Sequence, residues 1–405
     1  MENPSAGPFR VAYFFTRFPH PTETFLQREV RAMRRLGIEL RLYSWHGGGE
    51  SFDGLPVARF SKWRLLTLFW VAFGEWARRP REAAEVARML FLSWPRDWMN
   101  HWENLYGAGV AAVVAREFRR NPVDHIHATW ASLPATVAWV LSRFTGIPFS
   151  VGAHAYDVFE HGGDWFLCEK CAAARFVHTS TAAAQRRLAA VGIDPHKIVL
   201  ARRGLDTLPE CRPVRPHRTP LRILCVARLV AKKGLLRQLS IYRVWRDAGL
   251  SFAARIIGDG PLRPQLEAEI RAARLQDHVV LVGHLPAEAV WQELAEVDVL
   301  VHTGVVTPSG DRDGLPNVVP EAMAAGVVVI VAPAEGVEEA VREDMTGFVR
   351  ALDDPGAWLQ IARRVQTDDS LVERVRTNAR LWVEENFNAQ KNAAKILERM
   401  RSGHP

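Results

Sequence analysis

The sequence predicts an α/β protein built from two doubly wound, Rossmann-like domains that face a cleft. Short apolar runs alternate with helical patterns through both halves of the chain, which is typical of βαβ units and parallel sheets. This alternation lapses over residues 207–220, TLPECRPVRPHRTP, where four Pro residues and the lack of apolar periodicity indicate a linker. The length of 405 residues also suits two domains of ordinary size.

Each predicted element of the first half follows from its apolar pattern and from the residues that end it. The first helix, for example, ends before Gly37, because glycine is favoured just after helix C-termini. Short runs rich in Val, Ile, Phe and Tyr predict buried strands. The predicted strands cover residues 9–15, 38–44, 124–127, 147–152, 176–179 and 198–200. The predicted helices cover residues 24–36, 133–144 and 181–191.

The second half restarts the alternation after the linker and ends in a mainly helical region. Its predicted strands cover residues 221–226, 252–257, 279–282, 299–302 and 327–331. Its predicted helices cover residues 235–248, 262–274, 287–295 and 317–325. The domains are therefore expected at 1–206 and 221–385, with a C-terminal helix over 386–405 that packs back toward the first domain. Ligands of such sheets bind beyond the carboxyl ends of the strands.

A Trp-rich and Arg-rich helical insert is predicted over residues 55–120 of the first domain. It holds six of the fourteen Trp residues, and its eleven basic and six acidic residues leave a charge of +5. A stripe at helical spacing has two interpretations: a face packed in the core, or an interfacial helix that lies on an anionic membrane surface through residues 60–105. The stripe consists of Trp63, Leu66, Trp70, Phe73 and Ala77.

Composition excludes several classes of protein. A net charge of +7 is too small for a dedicated nucleic-acid binder, so no nucleic-acid partner is expected. Four Cys residues do not make a disulfide scaffold and suit a reducing compartment. The apolar stretch 65–73 is too short to span a bilayer, and no secretory signal is recognisable. We therefore expect a cytoplasmic protein. Peripheral contact with the inner face of the cytoplasmic membrane is the alternative that stays open for it.

The segment 310–326, GDRDGLPNVVPEAMAAG, carries the most concentrated polar chemistry. It predicts a loop at the carboxyl end of a strand that runs into a helix, with Asn317 as the N-cap. The first backbone N–H groups of such a helix suit a phosphate or a carboxylate. Asp313 and Glu321 are placed to accept hydrogen bonds from sugar hydroxyl groups on either side of the loop-to-helix junction.

This segment resembles the retaining glycosyltransferases of family 4, which have the GT-B fold. Their hallmark is a pair of glutamates separated by seven residues, within a stretch similar to DGLPNVVPEAMAAG. Asp313 stands in the first acidic position, so the carboxylate is one methylene shorter, and Pro320 stands where Leu is usual. The resemblance implies that Glu321 holds the nucleotide ribose and that Asp313 holds the donor sugar.

Other segments carry the same resemblance. VARLVAKKG at 226–234 resembles the family's diphosphate-binding segment, and the physical chemistry agrees, because fixed cations stabilise a leaving diphosphate. GAHAYD at 152–157 resembles the stretch whose His approaches the donor sugar, so His154 joins Asp313 and Glu321 as the expected catalytic group. The expected donor-binding residues are Arg228, Lys233, Gly258, Gly260, Gly314, Leu315, Asn317 and Val318.

The loop after the first strand departs from many relatives, because it lacks glycine. RFPHPTETF at 17–25 resembles the loop of a subgroup that acts in exopolysaccharide and colanic-acid-type biosynthesis. It is expected to line the acceptor side of the site. The expected acceptor-side residues are Thr22, Glu23 and Asp157.

The resemblance implies a hexosyltransferase that moves a sugar from a nucleotide-sugar donor to a saccharide or lipid-linked acceptor with retention of configuration. No metal or other cofactor is expected, because the diphosphate is expected to bind Arg228, Lys233 and the helix start at Asn317 in place of a metal ion. Two alternatives stay open. One is a nucleotide-sugar epimerase or hydrolase of the same fold, and the other is a non-catalytic relative that only binds the sugar nucleotide.

Two further patterns favour structural roles. Cys168 and Cys171 have metal-like spacing, but no second CxxC accompanies them, so two thiols on one helix face are expected. His125 and His127 alternate along a predicted strand and therefore face the same side. A buried structural role is expected for both, with His127 as the candidate to border the cleft.

Overall fold

The computed structural model describes residues 8–21, 23–92, 98–160, 163–206, 208–210, 213–216, 218–334 and 336–402. Thr22, expected on the acceptor side, lies outside the described residues. The chain divides into two compact units. Unit 1 comprises Met1–Gly204 and Ala389–Pro405, and unit 2 comprises Leu205–Asn388. Each unit is an α/β structure around its own parallel sheet, as predicted.

Unit 1 has an eight-stranded sheet in the order β3-β4-β2-β1-β5-β6-β7-β8. Every neighbouring pair is parallel except β3 with β4, which form an antiparallel hairpin. Among the strands of this sheet, β3 and β4 were not predicted from the sequence, because they are short and carry little apolar pattern. The strands are β1 (Arg10–Phe15), β2 (Glu39–Ser44), β3 (Ser51–Phe52), β4 (Leu55–Arg59), β5 (His125–Ala128), β6 (Phe149–Gly152), β7 (Val177–Thr179) and β8 (Ile198–Leu200).

The helices of unit 1 cover the two faces of this sheet. The helical insert begins later than predicted, since Leu55–Arg59 pairs with β2 as strand β4. It starts instead with a 3-10 turn at Lys62–Thr67. The α-helices are α1 (Thr24–Arg35), α2 (Leu68–Arg78), α3 (Pro80–Leu92), α4 (Trp98–Arg120), α5 (Leu133–Thr145), α6 (Tyr156–Phe159), α7 (Leu167–Ala173) and α8 (Ala182–Ala190).

The insert turns its aromatic stripe away from the core of unit 1. Leu65, Leu68 and Val71 pack against the core, and the side chain of Glu75 is 2% exposed, so this face meets the rest of the unit. The large apolar side chains on the other faces, most of them aromatic, are left uncovered. The exposed fractions are 79% for Trp63, 76% for Leu66, 73% for Phe69, 74% for Trp70, 67% for Phe73 and 50% for Trp76. The core-packing interpretation of the stripe is therefore wrong.

Unit 2 has a six-stranded parallel sheet in the order β11-β10-β9-β12-β13-β14. If β9 is counted as strand 1, the order is 3-2-1-4-5-6, which is that of a Rossmann sheet. In such a sheet the order in which strands are added reverses between strands 1 and 4, here β9 and β12. The strands are β9 (Leu221–Val226), β10 (Phe252–Ile257), β11 (Val279–Gly283), β12 (Val299–His302), β13 (Val328–Val331) and β14 (Phe348–Val349).

The helices of unit 2 lie close to their predicted positions. They are α9 (Leu235–Asp247), α10 (Arg263–Ala272), α11 (Ala287–Glu296), α12 (Val318–Ala324), α13 (Pro355–Thr367) and α14 (Asp369–Asn386). The last helix, α15 (Ala389–Arg401), returns to unit 1. Its buried residues Ala393, Ile396 and Met400 share a core cluster with Val30 and Met33 of α1.

The described part of the expected linker is packed on unit 2. Arg215 donates to a carboxylate oxygen of Asp298 at 2.5 Å. Arg218 is 1% exposed, and its Nε donates to the carbonyl oxygen of Val365 at 2.6 Å. Arginine side chains thus anchor a segment that has little apolar content of its own.

Candidate functional site

In unit 2, the candidate site lies where the strand order reverses. The carboxyl ends of β9 and β12 lead into 227–234 and 303–317, which carry most of the predicted donor-binding residues. Crossover connections leave these two strands in opposite directions along the sheet, and ligands of doubly wound sheets bind at this point. The residues predicted from separate motifs are therefore brought to one edge of one sheet.

Two glycines let the loops at this edge approach each other closely. Gly234 has φ +63°, and a Cβ there would lie 1.9 Å from the carbonyl oxygen of Thr303. Gly258 has φ +134°, and a Cβ there would lie 1.9 Å from the carbonyl oxygen of Ala227. A side chain at either position would separate the backbone segments that form the site. Gly260 lies against Leu229 in the same way.

Two lysines and two aspartates form an ion-pair cluster at the mouth of β12. Lys232 Nζ lies 2.9 Å from Asp311 Oδ1 and 3.8 Å from Asp313 Oδ1. Lys233 Nζ donates a hydrogen bond to Asp313 Oδ2. Sequence reasoning assigned Lys233 and Asp313 to different parts of the donor, and the structure brings them into direct contact.

The electrostatics of this cluster keep Asp313 charged. Burial opposes ionisation of its carboxyl group, but Lys233 and the neighbouring His302 outweigh burial and lower the pKa of Asp313. Burial, reinforced by Lys233, lowers the pKa of His302 to about 4. His302 Nδ1 accepts from the backbone N–H of Gly304, so Nε2 carries the proton of the neutral ring, 3.9 Å from Asp313 Oδ2.

Arg228 is the exposed cation of the site. Its side chain makes no hydrogen bond or ion pair with any part of the chain that the structure describes. The guanidinium group is therefore available to a ligand, whereas Lys233 is already paired with Asp313.

The acidic segment forms a loop and the short helix α12, as predicted. Glu321 lies in its first turn and is 8% exposed, while Leu315 and Val318 are buried and Gly314 is half-buried. Asn317 occupies the N-cap position but makes no side-chain cap, so that prediction is wrong. Its φ of −56° and ψ of −36° are helical, whereas a capping side chain needs extended backbone to reach the following N–H groups.

In unit 1, His154 follows β6 and is buried among aromatic rings. Its ring centroid lies 5.8 Å from that of Phe25, 5.5 Å from that of Trp130 and 4.9 Å from that of His178. Burial, with His178 and Arg203 nearby, holds the pKa of His154 well below its usual value. Neither ring nitrogen has a hydrogen-bond partner among the described residues. His154 is thus a neutral imidazole with unused hydrogen-bonding capacity.

Asp157 holds the backbone around His154. Its carboxylate accepts from the backbone N–H groups of Ala131 at 2.9 Å, His154 at 3.1 Å and Ala155 at 2.8 Å. These bonds occupy both oxygens of a side chain that is 1% exposed, so Asp157 positions His154. Glu23 precedes helix α1 at the N-cap position.

Several residues at these edges were not predicted. Lys232, Asp311 and His302 lie next to predicted residues in the sequence, so their proximity to a motif was the available signal. Trp130 and His178 of unit 1 come from outside any motif. Only the parallel order of β5, β6 and β7 brings these two side chains to His154.

The cysteine and histidine pairs have structural surroundings. Cys168 and Cys171 lie three residues apart on α7, with Cys168 exposed and Cys171 buried, and neither belongs to a candidate metal cluster within the described chain. His125 Nε2 and His127 Nδ1 both lie 2.8 Å from Ser150 Oγ, which agrees with the predicted common side and burial.

Comparison with known proteins identifies relatives along the whole chain. The family model described as Glycosyl transferases group 1 matches residues 210–382, which lie within unit 2. A putative colanic acid biosynthesis glycosyltransferase, WcaL of Salmonella typhimurium, is 32% identical over 419 residues, which cover 96% of this chain and 99% of the relative. The amylovoran biosynthesis glycosyltransferase AmsK of Erwinia amylovora is 34% identical over 220 residues, which cover 53% of this chain and 54% of the relative.

Solved structures agree on the fold. HepE of Anabaena, solved in complex with UDP and glucose, superposes with a TM-score of 0.72 over 97% of this chain and 100% of HepE, at 16% identity. This similarity supports the GT-B fold, that of two parallel-sheet α/β units. With a full-length relative at 32% identity and the family model over unit 2, the chain belongs to the group 1 glycosyl transferases.

Proposed function

We propose that this glycosyltransferase moves a hexose from a nucleotide-sugar donor to a saccharide or lipid-linked saccharide, with retention of configuration, in the biosynthesis of a cell-surface polysaccharide. The observation that carries the proposal is the cationic edge of unit 2. Arg228 and Lys233 lie where β9 and β12 end, beside the carboxylate of Asp313. Cations fixed at this point suit the two phosphates of a sugar nucleotide.

The donor-binding roles follow from the position of each group. Arg228 and Lys233 bind the diphosphate, and Glu321 in the first turn of α12 holds the ribose. Asp313 accepts hydrogen bonds from hydroxyl groups of the donor sugar. His154 offers a neutral ring nitrogen to a sugar hydroxyl group, and Asp157 keeps the backbone of His154 in place. Gly258 and Gly260 allow the base to approach the backbone between β10 and α10.

We propose that retention results from front-face transfer, in which the acceptor attacks the face that the diphosphate leaves. The acceptor hydroxyl oxygen bonds to the anomeric carbon, the bond from that carbon to the phosphate oxygen breaks, and the departing phosphate takes the hydroxyl proton. The protein then needs no nucleophile, and its cations stabilise the charge that develops on the diphosphate. For the diphosphate we propose no metal, because Arg228 and Lys233 supply the positive charge.

One experiment separates this function from its rivals. Thermal-shift screening against UDP-, GDP- and ADP-sugars identifies the donor, since a ligand at 100 times its dissociation constant adds about 2.7 kcal/mol to stability. The selected donor, labelled in its sugar, is then incubated with lipid-linked and free saccharide acceptors. We expect a lengthened glycan whose new linkage keeps the donor's anomeric configuration. An isomerised or hydrolysed sugar would indicate an epimerase or hydrolase, and binding without turnover would indicate a non-catalytic relative.

The polysaccharide role rests on the relatives. The two similar proteins named above are described as acting in colanic acid and amylovoran biosynthesis, and one of them aligns with nearly the whole chain. Acceptors in such assembly are often lipid-linked, which makes a membrane surface a suitable place for the reaction. Among the described residues no helix has the length and apolar content to cross a bilayer.

The exposed face of the insert supports peripheral membrane contact. Large aromatic side chains of α2 and of the preceding 3-10 turn are exposed, and Phe91, Trp98 and Trp102 extend the exposed set. Trp is favoured at headgroup depth, and exposed basic residues attract anionic lipid. We therefore propose that residues 60–105 rest on an anionic bilayer at the inner face of the cytoplasmic membrane.

Liposome co-sedimentation tests the membrane proposal. At low salt the protein is expected to sediment with vesicles that contain an anionic phospholipid and to stay in the supernatant with purely zwitterionic vesicles in high salt. Absence of binding to anionic vesicles at low salt would contradict the proposal. Stable dimers formed through the aromatic face would also contradict it, and size-exclusion chromatography with light scattering detects them.

A further inference from the structure

Three polar side chains from distant parts of unit 1 converge beneath the loop that carries His154. Glu29 comes from α1, His127 from β5 and His178 from β7. His127 Nε2 lies 3.2 Å from His178 Nε2 and 3.7 Å from Glu29 Oε1. One ligand atom from each residue fits within a mutual separation of 4.8 Å. No metal was expected anywhere in the chain from the sequence, so this group departs from that expectation.

We propose that Glu29, His127 and His178 bind a divalent transition-metal ion, of which Zn²⁺ is the best fit. Nitrogen and carboxylate ligands about 2.0–2.1 Å from a tetrahedral zinc lie roughly 3.3 Å apart. The two separations that involve His127, 3.2 Å and 3.7 Å, therefore require only small side-chain adjustments. Two imidazoles with one carboxylate favour zinc over magnesium or calcium, which prefer oxygen ligands.

Two of the three ligands, His127 and Glu29, have second-layer partners of the kind found at metal sites. His127 Nδ1 is bonded to Ser150 Oγ at 2.8 Å, which leaves Nε2 to face the other two ligands. Tyr13 donates its hydroxyl to Glu29 Oε1 at 3.0 Å and so orients the carboxylate. Such second-layer bonds fix the ring orientation and the protonated nitrogen of a ligating histidine.

A small pocket beside the cluster leaves space for a fourth ligand. Its volume is about 20 Å³, and Glu29, His154 and His178 are among its lining residues. A site of about 10–15 Å³ already holds one water molecule. His154 is 2% exposed, and neither of its ring nitrogens has a partner in the described chain. We assign the fourth position to a water molecule that hydrogen-bonds to His154.

The metal would tie α1 to the carboxyl ends of β5 and β7. These are the elements around His154, so the ion is expected to stabilise unit 1 and to fix the surroundings of that residue. No step of sugar transfer passes through the metal, and the site is distinct from the residues assigned to the diphosphate. The inference therefore stands or falls independently of the proposed transfer reaction.

Zinc titration of the full chain tests the inference. Protein treated with a chelator and then dialysed is expected to bind one Zn²⁺ per chain by isothermal titration calorimetry and by elemental analysis. His178→Gln and His127→Gln are each expected to weaken binding more than about 100-fold, because loss of a ligand costs at least as much as loss of a second-layer partner. Tyr13→Phe is expected to weaken it about 10-fold. His302→Gln, which removes a buried histidine of unit 2, is the matched control and should bind as the wild type does.

Two readouts on the wild-type protein keep the test decisive if a variant fails to fold. Zn²⁺ should raise the thermal unfolding midpoint of the wild type, and Co²⁺ should give the visible absorption of a tetrahedral nitrogen and oxygen site. Wild-type protein with no bound zinc and no thermal shift would overturn the proposal. A folded His178→Gln variant with wild-type affinity would overturn it as well.

Discussion

Lys233 donates a hydrogen bond to Asp313, so the cation expected on the diphosphate and the acid expected on the donor sugar neutralise each other. Both side chains are largely buried, and β12 and its loop deliver Asp313 to the turn that follows β9. A bound diphosphate would compete with Asp313 for the same ammonium group. Under the proposed function, the pair would couple binding of the diphosphate to the position of Asp313.

Loss of the Lys233 charge should impair catalysis more than loss of its neighbour's charge. Lys233→Met is expected to lower kcat/KM for the sugar nucleotide by about 100-fold, because the leaving diphosphate loses a fixed cation. Lys232→Met should have a smaller effect, since Lys232 is bonded at 2.9 Å to Asp311. Initial rates over a range of donor concentrations measure both. Equal losses in the two variants would contradict the assignment of Lys233.

Removal of the competing carboxylate should separate binding from turnover. Asp313→Asn is expected to bind the nucleoside diphosphate about tenfold more tightly, because Lys233 no longer exchanges one anion for another. Its kcat should fall, since a hydrogen-bond acceptor for the donor sugar is lost. Asp313→Glu restores the usual acid of the family and should keep most of the activity. Calorimetry of the diphosphate alongside steady-state kinetics provides the check, and weaker diphosphate binding by Asp313→Asn would argue against the competition.

The buried His302 should make unit 2 less stable in acid. Burial lowers its pKa from 6.5 to about 4 in the folded state, whereas the unfolded state keeps the ordinary value. Below about pH 6.5 the unfolded chain takes up a proton that the folded chain does not, so the free energy of unfolding falls with pH until about pH 4. Between about pH 7 and pH 5 the loss from this group is about 2 kcal/mol.

Urea unfolding of the wild type and of His302→Gln across that pH range isolates the contribution of His302. The difference in stability between the two proteins should shift in favour of the variant as the pH falls. Lys233 and Asp313 face position 302 in both proteins, so their charges contribute to both measurements. A difference that is constant with pH would mean that His302 titrates normally.

The insert should depend on one buried ion pair. Glu75 of α2 lies within 2.9 Å of Arg119 of α4, and its side chain is 2% exposed. Glu75→Gln is expected to lower the free energy of unfolding by about 2 kcal/mol, because Arg119 loses its charged partner in a buried setting. Glu85→Gln, which removes an exposed pair with Arg143, should cost less than about 1 kcal/mol. Urea denaturation of the two variants compares them directly.

The uncovered aromatic stripe should govern membrane affinity. Replacing Trp63, Trp70 and Phe73 together by Ser is expected to weaken binding to anionic vesicles more than about tenfold, because the apolar area that enters the interface is lost. Stability should change little, since these side chains are exposed. Leu381→Ser in unit 2 removes an exposed apolar side chain outside the insert and serves as the control. Vesicle binding unchanged by the triple substitution would place the membrane face elsewhere.

Much of the fold could be predicted because local patterns dominate it. The apolar runs that predicted β9, β10 and β12 are strands with those bounds, since short and mainly apolar runs are typical of strands in a covered parallel sheet. The hairpin β3–β4 escaped prediction because its short strands lie at the sheet edge and need no such pattern. The cap at Asn317 failed for a related reason, since the backbone there is set by how α12 packs.

The candidate site also contains residues that the sequence could predict and residues that it could not. Arg228, Lys233, Asp313 and Glu321 were recognisable because each belongs to a contiguous motif. Lys232, Asp311 and His302 lie beside those motifs, but nothing local indicates that they form an ion-pair cluster. The sequence also could not orient the insert, because Leu65, Leu68 and Val71 make a second apolar stripe beside the aromatic one. Periodicity identifies faces, and only packing decides which face is covered.

The sequence by itself determined the two α/β units, most element bounds, the motifs of the donor side and the resemblance to a family. These depend on residues that are close along the chain, where periodicity and spacing carry the information. Only the tertiary structure paired Lys233 with Asp313, turned the Trp stripe to solvent and brought Glu29, His127 and His178 together. Such relationships join side chains from separate strands and helices. They are decided by the order of strands in a sheet and by which surfaces pack. Both depend on contacts between segments that are distant in the sequence.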